Sequence, residues 1–368
     1  MKSMELEVKI TYEVNEKNWN KNLQLSLDAT ASQTADCYLP HKLTYNSKPV
    51  FITIFDSTEK IVGQLSAVIH VKDYGVKNNF LSNLIYKKVN SGSTLRWSHG
   101  PIIHDKKNID IIFSKILLAV NKIAKDNNVN VISGTTSPQM SSIPTNILKK
   151  NGYNVKPWFT YITNLERNID EIYNSLHNKT RYDIRKGEKM GFEFKISSTR
   201  KSMDIYLDLK HDGKKAENMK KKYKDFTDNI WETLFQNDYK KNFIVKKDGK
   251  PLAFITNFLF NENVSQVGVA TSSGSKYAGS FLTWNTIKWA VENNYRTYDV
   301  GGANPNPISA KEKGIDLFKS KWASEKVEYF ICTKIFNKTK YNISKMIKNP
   351  KGIKYKINKK IGKQNYTS

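Results

Sequence analysis

Two halves of this chain repeat one order of elements, and a unit that occurs twice restricts the fold more than any motif inside it. VFITIFDSTEKIVGQLSAVIH at 50–70 reads as two β-rich runs about a charged turn. NFIVKKDGKPLAFITNFLF at 242–260 reads the same way, with Asp248-Gly249 supplying a hairpin turn. Helical periodicity follows in both, over Ile111 to Asp126 and Ser280 to Glu292, and each helix runs into Asn-Asn, a short strand and a glycine loop. NNVNVISGTTSP (127–138) stands beside NNYRTYDVGGANP (293–305), which is one residue longer. The closing segments, ILKKNGYNVKPWFTYITNL (147–165) and LFKSKWASEKVEYFICTKI (317–335), align without a gap. Asn-Asn pairs are cheap in an Asn-rich chain, but elements recurring in one order are not.

The repeat predicts an α+β protein with one unit at 1–165, a second at 166–335 and a tail at 336–368. The first unit is longer between hairpin and helix, where an insertion over about 71–100 includes Trp97, His99, Gly100 and Pro101. Asn168 to Met190 reads as a basic helical segment ended by Gly191, and 203–236 as a second, charge-laced helical region.

Composition narrows the partners. The 60 Lys and Arg against 34 Asp and Glu leave a net charge of +26, a field that draws polyanions such as RNA, nucleotide-linked substrates or anionic lipid headgroups, unless it only follows genome base bias. From Tyr329 to Ser368 there is no acidic residue, and eleven lysines interleave with isoleucines, as in a solvated arm or a segment lying on an anionic membrane. Cys37 and Cys332 lie far apart, and the six histidines show no ligand spacing, so neither a disulfide scaffold nor a metal is expected. The charged N-terminal stretch lacks the apolar core of a signal peptide, and the most apolar run, from Ile109, is broken by Asp110, Ser114 and Lys115. A cytoplasmic location is expected, with peripheral contact at the inner face of the membrane through the tail.

YDVGGANP places Asp299 at the end of a strand, followed by Gly301 and Gly302, where a ligand or a second backbone can approach closely. Asp299 either accepts a proton from, or orients, an amine nucleophile, or caps the turn. Tyr298 stands beside it. In GIDLFKSKW (314–322), Phe318 and Trp322 fall on one helical face, setting Lys319 by an aromatic pair, where a cation can offset negative charge on a reacting carbonyl oxygen. Arg181 and Arg185, four apart, suit a phosphate clamp or an ordinary salt-bridged helix. SSGSKYAGSFL (272–282), with Lys276, is a weak anion loop before a helix. No nucleophile elbow or Cys/His pair suggests covalent catalysis.

Together KTRYDIRKGEKMGFEFKI (179–196), FLTWNTIKWAVENNYRTYDVGGANP (281–305), GIDLFKSKW and WSHGPII (97–103) resemble the FemABX family of peptidoglycan-bridge transferases, within the GNAT-like acyltransferase superfamily. The resemblance implies two tandem GNAT-like domains, each a mixed sheet flanked by helices. It further implies transfer of an amino acid from aminoacyl-tRNA to an amine on a nucleotide- or lipid-linked envelope precursor, with no cofactor. Carried over, Lys319 lies at the reacting carbonyl, Asp299 is the strand-end acid, and Arg181 or Arg185 meets the precursor's diphosphate. Gly301, Gly302, Phe318, Tyr298 and Lys276 complete the expected substrate site. Trp322-Ala323-Ser324 departs from the family's Phe-Gly-Gly, and no coiled-coil arm appears in 200–240. Relatives in the superfamily use acyl-CoA, so an N-acyltransferase acting on an envelope sugar is the alternative. A non-catalytic RNA- or membrane-binding protein is a third reading.

Overall fold

A computed structural model describes residues 5–44, 47–70, 93–140, 142–339 and 341–342. Most of the 71–100 insertion and the tail beyond 342 lie outside the described residues.

The expected order of elements is present in both halves. In the first, strands β2 (Ser47–Asp56) and β3 (Ile61–His70) form the hairpin, flanked by β1 (Leu6–Thr11). Strand β4 (Thr94–Trp97), a two-residue β5 (Ile102–Ile103), helix Ile109–Asp126, β6 (Val131–Thr135), helix Thr145–Lys150 and β7 (Asn154–Asn164) follow. In the second, β8 (Glu193–Ser197) flanks the hairpin of β9 (Lys240–Lys247) and β10 (Lys250–Phe260). Then come β11 (Asn263–Thr271), helix Ala278–Glu292, β12 (Thr297–Asp299), helix Ala310–Ser320 and β13 (Glu325–Ile335). Asp248 and Gly249 both adopt positive φ, as a two-residue hairpin turn requires.

Periodicity explains the helices. Ile112, Phe113, Ile116, Leu117, Val120, Ile123 and Ala124 of helix Ile109–Asp126 are buried along one face, packed on the first hairpin. The approach is close at Gly63, where a Cβ would lie 2.7 Å from Ile112 Cγ2. In the second half, Phe281, Leu282, Trp284, Ile287 and Ala290 do the same for helix Ala278–Glu292. The segment 168–190 differs from the single helix expected: it divides into Ile169–Ser175 and Asn178–Lys189, because Leu176 is extended and His177 caps the second helix. Region 203–236 holds helices Asp204–Lys210 and Gly213–Ile230, the latter running into a π-turn at Trp231–Phe235.

The closing strands are exchanged. One continuous sheet of 13 strands runs β1-β2-β3-β4-β6-β13-β7-β12-β11-β10-β9-β8, with β5 attached to β3. β13, from the second half, pairs antiparallel with β6 of the first, from Ile331↔Thr135 to Ile335↔Val131. β7, from the first, pairs with β12 of the second. Between them β7 and β13 pair from Glu325↔Ile162 to Thr333↔Asn154. Each half therefore completes the sheet of the other, and the residues of these two strands reach the seam where the halves meet. The start of the tail folds back on the first half, with Phe336 N–H donating to Asn130 O at 2.9 Å.

Candidate active site

Strands β11 and β12 pair in parallel only from Asn263↔Thr297 to Ser265↔Asp299. Beyond that β11 continues while β12 ends in a turn at Gly301-Gly302, so the strands part, as ligand-binding α/β edges do. A cavity of about 240 Å³ opens there. The second half lines it with Phe258, Ser265, Gln266, Val267, Asp299, Gly301, Gly302 and Tyr329; the first contributes Thr30, Ser32, Ser98, His99, Pro138 and Thr160.

Asp299 is buried, and its Oδ1 accepts from Thr160 Oγ1 and from the Gly301 N–H, the latter at 2.7 Å. Burial raises its pKa, while the Thr160 and Gly301 bonds and the Lys319 charge pull it back. Lys319 reaches the turn from helix Ala310–Ser320, and its Nζ donates to Gly302 O at 2.9 Å. Burial lowers the pKa of this ammonium and Asp299 raises it. The turn needs both glycines. Gly301 sits at φ +91°, and a Cβ there would lie 3.1 Å from Lys319 Nζ and 3.2 Å from Gln266 O. At Gly302 a Cβ would meet Tyr329 Oη at 2.6 Å and Trp158 Nε1 at 2.7 Å.

Of the residues expected from sequence, Asp299, Gly301 and Gly302 line the cavity. Lys319 does not; it braces the turn through Gly302. Tyr298 is buried in the core and acts through Gln266, donating to its Oε1 at 3.0 Å. Phe318 packs on Trp322 with ring centroids 6.0 Å apart, against the same core. Arg181 and Arg185 form no paired clamp here: Arg181 donates to the Asn174 and Leu176 carbonyls at 2.6 and 3.0 Å and to Asn178, while Arg185 is exposed. Lys276 is exposed beside the Tyr277 ring, 5.1 Å from its centroid. Neither arginine nor Lys276 lines this cavity.

The structure adds residues that sequence reasoning did not select. His99 takes φ +50° and is held there by its N–H to Thr135 Oγ1 at 2.9 Å. The next peptide donates from Gly100 N to Thr135 O, and Gln33 Nε2 donates to Ser98 O at 2.6 Å. The imidazole thus meets the Tyr329 ring edge-on at 5.9 Å in the cavity wall, where burial lowers its pKa to about 4 and keeps it neutral. Val267 is a bulge: Thr256 pairs with Gly268 and Asn257 with Gln266, so Val267 has no register partner on β10, and it lies beyond the pairing with β12. Val267 lines the cavity wall. The Gly-Pro turn after His99 was the one sequence signal near these residues. Thr160 and Tyr329 had none, because only the strand exchange brings them here.

Residues 174–308 match the family model described as an acetyltransferase (GNAT) domain. The chain carries a GNAT acyltransferase domain and is an acyltransferase. Its fold is FemABX-like: a solved structure of FemX superposes with a TM-score of 0.66 at 14% identity, covering 91% of this chain and 99% of that one. A tandem GNAT protein from the clavulanic acid biosynthesis pathway gives 0.54 at 11% identity, over 90% and 99%. A conserved protein of unknown function from Bacteroides thetaiotaomicron VPI-5482 gives 0.50 at 10%, over 89% and 100%. No curated protein matches the sequence. The GNAT match spans the strand parting, the glycine turn and the helix before them, so the cavity belongs to the acyltransferase fold. Among the described residues no group of His, Cys, Asp and Glu is placed to hold a metal, and no helix is long and apolar enough to cross a membrane.

Proposed function

We propose that this GNAT-type acyltransferase moves an amino acid from aminoacyl-tRNA to a primary amine of a nucleotide- or lipid-linked cell-envelope precursor, at the inner face of the membrane. The observation that carries the reading is the cavity that both halves line at the parting of β11 and β12, with a buried carboxylate on its wall and a braced glycine turn.

The reaction needs a neutral amine, a partner for the developing oxyanion and alignment. The amine nitrogen attacks the ester carbonyl carbon. A C–N bond forms, the C–O bond to the ribose oxygen breaks, and the amine proton passes to Asp299 and then to the leaving oxygen. Asp299 suits a proton acceptor because Oδ1 takes both hydrogen bonds and Oδ2 stays outside them, and burial strengthens it as a base. The bulged Val267 peptide offers a backbone donor to the oxyanion. Neutral His99 and Tyr329 shape the opposite wall and exclude water.

Net charge and the 272–279 loop both favour a tRNA donor. A net charge of +26 suits an extended polyanion. A coenzyme A pyrophosphate needs free N–H groups at a helix start. Here the Ser275, Lys276 and Ala278 N–H groups turn inward, to Ser272, Gly274 and Ser275 carbonyls. The acetyltransferase description of the matched family favours the second reading, an acyl-CoA-dependent N-acyltransferase on an envelope sugar. The test is amine acylation by a charged tRNA pool. Loss of product after ribonuclease, with no recovery on adding acetyl-CoA, supports the first reading; product that survives ribonuclease and follows acyl-CoA overturns it in favour of the second.

A further inference from the structure

Beside the reaction cavity, on the sheet face away from helix Ala278–Glu292, lies a larger one of about 390 Å³. Helices Asp204–Lys210 and Gly213–Ile230 roof it without filling it. Its lining is aromatic and aliphatic, including Tyr206, Phe226, Ile230 and Phe254, and Phe258 and Val267 border both cavities.

One ionised group breaks this wall. Lys240 Nζ lies 5.7 Å from the Phe235 ring centroid and 5.3 Å from that of Phe258. Ring faces attract the ammonium, but no carboxylate among the described residues pairs with it; the adjacent acid, Asp238, pairs with Lys241. The cost of that burial shows in a pKa lowered to about 8. A second polar atom in the lining, Thr256 Oγ1, is buried without a hydrogen-bond partner among the described residues. A cavity of this size and polarity is built for a small molecule, and its single cation selects the charge of the occupant.

We propose that this cavity binds a single-chain apolar molecule with an anionic head, its body against Tyr206, Phe226 and Phe254 and its head at the Lys240 ammonium. The inference does not depend on the aminoacyl reading, since it concerns a second cavity and a binding event. A free carboxylate and a lipid phosphate share the chemistry, and both are to be tried.

The experiment is calorimetric titration of the full chain with decanoate, decyl phosphate and decyltrimethylammonium, each below its micelle concentration. Decanoate or decyl phosphate is expected to bind, and the cationic probe to bind at least tenfold more weakly. A charge-assisted hydrogen bond is worth roughly 1.5–3 kcal/mol, so Lys240→Met should weaken the anions about tenfold or more. The tighter head group identifies the source as a fatty acid or a phospholipid. Ile230→Trp, which fills the cavity and leaves the cation, should also abolish binding and serves if Lys240→Met does not fold. Equal binding of the cationic probe, full affinity in Lys240→Met, or no binding by wild type overturns the proposal.

Discussion

Asp299 and Lys319 grip one glycine turn from its two ends: Asp299 Oδ1 accepts from the Gly301 N–H at 2.7 Å, and Lys319 Nζ donates to Gly302 O at 2.9 Å. The two side chains come from different elements, the end of β12 and helix Ala310–Ser320, so the turn is fixed only once both are folded against the seam. Their charges also support each other. Lys319 pulls the Asp299 pKa down against burial, and Asp299 pulls that of Lys319 up.

Lys319→Ala is expected to lower kcat by about 10², with acceptor affinity little changed, because the glycine turn on the cavity wall loses its brace and a misplacement of about 1 Å can cost that much. It also removes a charge that favours the Asp299 carboxylate, so the Asp299 pKa rises and the acid limb of the kcat/KM profile moves to higher pH. Lys321→Ala is the control. Steady-state rates across pH check both; a rate within about threefold of wild type, with an unmoved limb, removes Lys319 from the mechanism.

Gly302→Ala drives a methyl into Tyr329 Oη and Trp158 Nε1. Overpacking of this kind costs about 1–3 kcal/mol, and the clash lies at the cavity wall. A lowered melting temperature together with lost activity is expected; Gly249→Ala, where a Cβ meets nothing but φ is +74°, should cost stability alone. Thermal melts and transfer assays on both variants separate the two effects.

Because β13 lies between β6 and β7, residues 1–165 alone leave the β6 edge bare and β7 without partners on either side. Such edges associate. Expressed separately, 1–165 and 166–368 should aggregate or self-pair, and co-expressed they should form a one-to-one complex, read by size-exclusion chromatography. A monomeric, cooperatively melting 1–165 would contradict the exchange.

Much of this fold was legible. The alternation of 50–70 and 242–260 gave two hairpins, and the Asp248-Gly249 pair their turn, because both are local properties. The strand-end Asp299 and its glycines were legible for the same reason. What sequence could not show was the exchange of β7 and β13, since a strand's pattern records that it is buried and not which sheet buries it. Thr160 and Tyr329 enter the site only through that pairing, and Tyr329 meets His99 there. Arg181 reads in sequence as half of a phosphate clamp or part of an ordinary salt-bridged helix, and in space it caps a helix end, because the break at Leu176 supplies carbonyls within its reach. Lys319 was found by its aromatic neighbours, yet it meets a backbone carbonyl.

The central claim is that Asp299 moves the amine proton, and Asp299→Asn tests it most directly. The amide keeps an oxygen for Thr160 and the Gly301 N–H while losing the charge, so the turn stays in place. Single-turnover transfer from labelled aminoacyl-tRNA to an envelope amine, with donor binding measured alongside, should show a rate lowered by ~10² or more at unchanged donor affinity. Transfer at the wild-type rate with donor bound would contradict it.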